Sequence, residues 1–124
     1  MTASEGFKDF ITDQLTAFGP VRIRNMFGGA GVYADDVMFA LIADDTLYLK
    51  ADESSVPAFE AEGMGPFVYE SEDRKPIAMS YWELPPRLLD DADELAQWAR
   101  QAYAIACAAK AKTSRKKKSA KRKR

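Results

Sequence analysis

Histidine is absent from the 124 residues of this chain, and cysteine occurs once, at Cys107. Without histidine the chain lacks the commonest general base, which excludes histidine-based catalytic triads and most zinc sites. A single cysteine cannot form an internal disulfide, so we expect a cytoplasmic location. No apolar run approaches the roughly 20 residues of a membrane span, and residues 1–5 lack the basic and apolar regions of a secretory signal.

The net charge of −1 conceals a strong division along the chain. Residues 110–124 contain ten of the eighteen Lys and Arg residues and none of the nineteen acidic residues. Residues 1–109 therefore hold eight basic and nineteen acidic side chains, a net charge of −11. An acidic body that carries a basic tail has to be interpreted as two parts.

Hydrophobic periodicity predicts the elements of the first half of the body. A capping box from Thr2 to Glu5 precedes apolar residues at steps of three and four, which predicts a helix of about four turns that Gly19 ends. Short apolar segments follow, separated by the acidic pairs at 35–36 and 44–45, which are turn signals. Such short connections predict antiparallel strands, because a parallel crossover needs a dozen or more residues.

In the second half of the body, the sequence predicts a short helix over Glu53–Glu62, capped by Asp52 and ended by Gly63. Two strands are predicted to follow it, over residues 67–69 and 77–82. The last helix is expected to start between Asp90 and Asp93, where acidic residues favour a helix N-terminus. The predicted order is α-β-β-β-α-β-β-α. The predicted class is α+β, a two-layer domain over residues 1–109 with an antiparallel sheet packed by helices.

The segment RNMFGGAGVY, residues 24–33, contains three glycines within four residues. No Lys follows them as in a phosphate-binding Walker A loop, and they lead into a strand rather than the helix of a dinucleotide fingerprint. Their neighbours are not helical, unlike those of a K-homology RNA loop. We therefore expect a structural role: Gly28 and Gly29 adopt backbone angles closed to other residues, and Gly31 lets a neighbouring element approach.

The same segment resembles the signature of the TfoX N-terminal domain family, the Sxy-type competence regulators. Two further motifs resemble that family, the strand MSYWELP at residues 79–85 and the closing helix around Trp98. The resemblance covers roughly residues 5–109, with its motifs in the family's order. The motif residues here are Arg24, Met26, Phe27, Gly28, Gly29, Gly31 and Tyr33.

This resemblance implies a two-layer α+β domain similar to the secretion-chaperone fold, a role in transcriptional control, and no known catalysis. The best-known members activate DNA-uptake genes together with the cyclic-AMP receptor protein. Longer members carry a second helical domain where this chain has the basic tail. For this chain we therefore expect a general regulator or a partner-binding module.

Arg22 and Arg24 alternate with apolar residues, so both should lie on one face of a strand, where they could contact an anion or a partner carboxylate. Pairing with the body's own acids is the simpler alternative. The acidic pairs suit turns and a helix start better than a cation site. The aromatic residues Tyr69, Tyr81, Trp82 and Trp98 could stack a base or line a pocket, but packing in the core or on a sheet face is their expected role. Core packing is also the expected role of Cys107.

The basic tail has almost no apolar residues to bury, so it is expected to be disordered alone and to bind nucleic acid without reading sequence. Its alternative role is a solvated appendage lying over the acidic body. Neither a cofactor nor a metal site nor membrane binding is expected, while a protein partner and a homo-oligomer both are compatible with the sequence. The basic residues of the tail are Lys110, Lys112, Arg115, Lys116, Lys117, Lys118, Lys121, Arg122, Lys123 and Arg124.

Overall fold

Helices flank two runs of consecutive antiparallel strands in the computed structural model, which describes residues 4–26, 29–71 and 74–122. Within these residues six strands form one antiparallel sheet in the order β1-β2-β3-β4-β6-β5. The elements are α1 (Glu5–Gln14), β1 (Arg22–Met26), β2 (Gly29–Ala34), β3 (Val37–Ala43), β4 (Thr46–Lys50), α2 (Val56–Ala61), β5 (Pro66–Ser71), β6 (Arg74–Glu83), a 3-10 turn (Pro86–Asp90) and α3 (Ala92–Arg122).

The predicted α+β class is confirmed, but the predicted order is wrong in one place. Four strands, not three, precede α2, because the glycine segment lies within a hairpin in which Met26 of β1 pairs with Gly29 of β2. The 3-10 turn before α3 was also not predicted. The likeness to the secretion-chaperone fold stays an expectation.

Local hydrogen bonding sets the helix starts. Ser4 caps α1, since its hydroxyl accepts from the Phe7 N–H at 3.2 Å, while the predicted cap Thr2 lies outside the described residues. The carboxylate of Asp52 accepts from two following N–H groups, which makes a turn and delays α2 to Val56 instead of residue 53. In α3 the Glu94 N–H donates to Asp91, so the helix begins inside the predicted window.

The two acidic pairs at 35–36 and 44–45 form the turns that the sequence predicts. Their backbone φ angles are 47° and 64° at Asp35 and Asp36, and 51° and 50° at Asp44 and Asp45. Two consecutive positive φ angles are typical of type I′ hairpin turns, whose twist matches that of the strands. Aspartate tolerates this region better than most residues, so these acids have a structural role in the β2–β3 and β3–β4 hairpins.

One face of the sheet packs against the helices and forms the main core. Phe39 of β3 is fully buried there and contacts the rings of Phe18 and Tyr103, with centroids 4.9 and 6.1 Å away. Small residues of α3 let this helix approach β3 and β4 closely. Each large side chain buried here contributes roughly 1.5–3 kcal/mol to folding. The other buried members of this core include Ile11, Leu15, Val32, Ile42, Leu49, Phe59, Leu88, Leu95, Ala99, Ala102 and Ala106.

Helix α3 continues through Arg122, whereas the sequence analysis expects disorder from residue 110 onwards. Alanine and lysine both have favourable helix propensities, so the backbone of the tail can extend a helix that the core has already started. At 1.5 Å per residue, its 31 residues span about 46 Å. The residues on the two sides of position 109 therefore differ in charge, while the backbone of α3 is continuous across it.

Gly29 has a structural role that differs from the expected one. Its φ is not positive, but a Cβ atom placed on it would lie 2.3 Å from the Ile42 carbonyl oxygen of β3. Real Cβ atoms essentially never approach so closely, and backbone cannot move aside as a side chain can. The glycine is therefore required for close approach of two strands. Gly28 and Phe27 lie outside the described residues.

Arg87 joins the end of α2 to the start of α3. Its guanidinium donates to both carboxylate oxygens of Glu62, at 3.1 and 2.6 Å, and to both of Glu94, at 3.1 and 3.0 Å. The Trp98 indole N–H also donates to Glu94, at 3.3 Å. The hydrogen bonds from Arg87 hold the pKa of each carboxyl group below its ordinary value of 4.5.

We predict that Gly29→Ala lowers the free energy of unfolding by about 1–3 kcal/mol, the usual cost of forcing a group into a packed site. Urea denaturation followed by circular dichroism measures this. The matched control is Gly65→Ala, whose added Cβ meets nothing within 4 Å; it should change stability by less than about 0.5 kcal/mol. Equal effects of the two substitutions would contradict the close-approach role of Gly29.

We predict that Arg87→Met lowers the melting temperature at pH 7 and that this loss shrinks at pH 3. The lowered pKa values of Glu62 and Glu94 stabilise the fold above the ordinary value of 4.5, and this contribution is lost as pH falls through the lowered values. Arg100→Met is the control, since that guanidinium donates to the Ala17 carbonyl and to no carboxylate within the described residues. A loss that is the same at both pH values would disprove the role of the carboxylates.

Candidate functional site

The sheet face opposite the helices is called here the open face. Residues directly opposite each other in an antiparallel sheet share a face, so the pairs Arg22–Tyr33, Arg24–Gly31 and Leu41–Tyr48 all belong to it. Ile23 and Val32, one position along, lie on the helix side with the main core. The alternation thus places both predicted arginines on the same face. The described members of the open face include Arg22, Arg24, Gly31, Tyr33, Met38, Leu41, Ala43, Thr46, Tyr48, Lys50, Phe67, Tyr81 and Glu83.

A second, smaller apolar cluster occupies the centre of the open face. Leu41, Ala43, Phe67 and Tyr81 are each less than 10% exposed, and Met38 and Tyr48 pack against them. The ring centroids of Tyr48 and Phe67 are 5.0 Å apart in an edge-to-face arrangement. This cluster was not predicted from the sequence. The continuous apolar run of β3 was the available signal, because a strand buried on both faces is apolar at every position.

Tyr81 shows that the sheet curves towards this face. Its hydroxyl donates to the Met38 carbonyl at 3.4 Å, although β4 lies between the two strands. Burial, with a smaller effect of nearby Tyr33, raises the pKa of Tyr81 to about 12. The phenol therefore stays protonated at neutral pH. Lys50 lies over the Tyr81 ring at 5.2 Å and donates to the Ser80 hydroxyl at 2.6 Å, and burial lowers the pKa of its ammonium group.

Arg22 and Arg24 lie at the rim of the open face, on the edge strand β1. The closest carboxylate to Arg22 is that of Asp36, with 3.9 Å between Nη2 and Oδ1, and both side chains are more than two thirds exposed. Such a pair contributes little to stability. Arg24 lies 5.8 Å from the centroid of the Tyr33 ring and forms no salt bridge with a described acid. The expected pairing with the body's acids is therefore weak at Arg22 and absent at Arg24 among the described residues.

A cleft of about 350 Å³ adjoins this rim between the start of β1 and the β2–β3 turn. Its lining combines the basic Arg22 with Asp35 and Asp36, so it is not an anion pocket. Tyr33 forms part of its wall. The remaining lining residues are Pro20, Val21 and Ala34.

The family-type motif is distributed over this hairpin. Arg24 and Tyr33 contact each other across β1 and β2, Gly31 lies between Arg24 and Leu41 in the ladder, and Gly29 meets the β3 backbone. Met26 ends β1 as its last residue. Much of this motif therefore builds the hairpin, and Arg24 is its charged and exposed member.

The basic tail starts where α3 passes the turn at residues 35–36. Lys110 is exposed, and its ammonium group lies 3.5 Å from the Asp36 carbonyl oxygen. The remaining basic tail residues up to Arg122 lie on the same helix, while Lys123 and Arg124 lie outside the described residues. The tail thus extends from the end of the sheet that carries the acidic turn.

The other candidate residues have structural surroundings. Trp82 and Trp98 pack on Phe59 in the main core, with ring centroids 6.1 and 5.1 Å away. Cys107 is half-buried and interacts with Tyr103, whose pKa it raises to about 12. In the described part of the chain, no three His, Cys, Asp or Glu side chains converge as a metal site would require. No described helix is both long and apolar enough to cross a membrane.

Comparison with known proteins agrees with the motifs. No curated protein matches the chain in a sequence search. The sequence profile of the TfoX N-terminal domain matches residues 13–106, about three quarters of the chain, from within α1 to the last buried turn of α3. The family is generally non-catalytic and has a regulatory, competence-related association. On this match, the chain belongs to the TfoX N-terminal domain family.

Proposed function

We propose that this chain is a non-enzymatic regulatory binding protein whose body binds a protein partner and whose tail supplies non-specific affinity for nucleic acid. The partner would belong to the transcription machinery or be another regulator. The family supports control of transcription of the competence type. The observation that carries the nucleic-acid part is the segregation of ten basic residues into the end of the chain.

The opposite charges of the body and the tail favour different binding roles for the two parts of the chain. A body of net charge −11 repels a polyanion. The ten basic residues of the tail attract it and release its counterions, a contribution that is strong and independent of sequence. Because these residues are grouped at one end of the chain, nucleic acid could be bound at the tail while the body contacts a partner.

A second candidate function is a pure protein-interaction module without any nucleic-acid role, for which a second copy of the chain is one candidate partner. The open face favours it, since that face combines the partly exposed side chains of Tyr33, Met38 and Tyr48 with exposed arginines at its rim. Aromatic residues and arginine are enriched at protein–protein interfaces. In this case the tail would be a solvated appendage that pairs with the acidic body.

We predict that K116Q/K117Q/K118Q weakens binding to a fluorescein-labelled 20-base-pair DNA duplex and flattens its salt dependence. Each phosphate contact contributes about 0.9 to the slope of log K against log salt, so the loss of three contacts lowers the slope by about 2.7. Fluorescence anisotropy of the full chain across a salt series measures the slope.

The matched control is R22Q/R24Q/K50Q, which removes the same charge from the open face. For this variant, the slope of log K against log salt should stay within about one unit of the slope for the unsubstituted chain, because the tail is unchanged. An equal flattening in both variants would place the DNA on the sheet, and the absence of binding by the original chain near 150 mM salt would favour the second candidate function.

A further inference from the structure

Strand β1 forms one edge of the sheet, and its outer side has no backbone partner among the described residues. It pairs with β2 alone, and no other described backbone group hydrogen-bonds to residues 22–25. In an antiparallel ladder alternate N–H and C=O groups point to each side, so the outer set is available for another strand. An extended peptide can add to such an edge by main-chain hydrogen bonds.

The side chains of β1 define what such a peptide would carry. Arg22 and Arg24 are both exposed on the open face, two residues apart, and no described acid lies within 3.5 Å of either guanidinium. In an added strand, the residues opposite them lie on the same face and are also two apart. Aspartate or glutamate at both positions would form cross-strand ion pairs, and arginine can bind a carboxylate with two N–H groups.

The position between the two arginines adds a third requirement. Ile23 lies on the helix side and packs against the main core while staying partly exposed. The peptide residue opposite it would cover this exposed apolar surface. The edge therefore fits an acidic–apolar–acidic sequence in extended conformation.

We propose that β1 is a docking edge for an extended segment of a partner protein with acidic side chains at alternate positions and an apolar residue between them. This rests on the proposed function, which requires a protein partner, and identifies the surface that would bind it. Arg24 and Arg22 provide charge specificity, and the β1 backbone provides the hydrogen bonds.

Charge complementarity favours an acidic peptide over a second copy of the chain in the registers that pair most of β1. Symmetric pairing of two β1 strands about Ile23 or Arg24 places arginine directly opposite arginine, which is destabilising. A peptide also fits this edge better than nucleic acid does, because the edge offers alternating backbone N–H and C=O groups that a peptide backbone can pair with and a phosphate backbone cannot. A short peptide carries few charges, and its backbone uses the hydrogen-bonding groups of the edge.

The test uses the full chain at 150 mM salt and fluorescein-labelled ten-residue peptides. We expect an alternating Glu–Val peptide to bind more tightly than a peptide of the same composition arranged as Glu-Glu-Val-Val repeats. R22E/R24E should weaken binding at least tenfold and should bind an alternating Lys–Val peptide better than the original chain does. R22Q/R24Q, a milder change, is the second variant if the reversal alters the circular dichroism spectrum.

The control K117E/K118E makes the same charge change in the tail and should alter peptide affinity less than threefold. In an added strand, the N–H groups of every second peptide residue face β1 and those of the residues between them face away. N-methylation of the first set should therefore abolish binding, and N-methylation of the second set should not. Amide exchange of residues 22–25 should slow on binding, while that of β5, the other edge, should not.

Each of three results would overturn the proposal: no binding at millimolar peptide, equal binding by R22E/R24E, or loss confined to the tail variant. Sedimentation of a dimer whose R22E/R24E variant is monomeric would assign the edge to a second copy instead. The DNA titration above, run on the same samples, separates the two proposals. Tail-dependent DNA binding with no peptide binding would reject the docking edge and leave the nucleic-acid part of the proposed function intact.

Discussion

The packing of α3 on β3 and β4 is the interaction on which the rest of this structure depends. Ala96, Ala99, Ala102 and Ala106 are nearly fully buried, so the helix can lie close to the sheet while Phe39 and Leu95 fill the space beside them. This contact commits one face of the sheet to the helices. It leaves the opposite face to a small aromatic cluster, and it directs the end of α3, with its basic residues, past the turn at 35–36.

Because all three helices pack on one side, the chemistry of the other side is set by alternation along the strands. Every second residue of β1 and β2 faces away from the helices, so Arg22, Arg24 and Tyr33 become neighbours. The edge position of β1 then leaves both the charges and the backbone groups available. Although the body is rich in acids, Arg22 has only a long, exposed pairing with Asp36 and Arg24 has no salt bridge among the described residues, which is a physical reason to regard this rim as functional.

The elements that could be predicted are those with strong local signals. The acidic pairs at 35–36 and 44–45 identified their turns, since aspartate suits positive φ angles, and the start of α3 followed from its acidic N-terminus. The errors have physical causes as well. The start of α2 depends on a side-chain hydrogen bond of Asp52 with the backbone, and the cap of α1 depends on the hydrogen bond that the Ser4 hydroxyl accepts from the Phe7 N–H.

By itself the sequence determined the α+β class, the separation of charge between residues 1–109 and 110–124, the alternation of Arg22 and Arg24, and the family. These are properties of composition and of short-range spacing, which need no knowledge of distant contacts. Tertiary structure alone decided the requirement for glycine at position 29, the cluster formed by Tyr48, Phe67 and Tyr81, and the place of β1 at the edge of the sheet. Each of these depends on which strands become neighbours, and that is settled by the burial of the whole core rather than by any one segment.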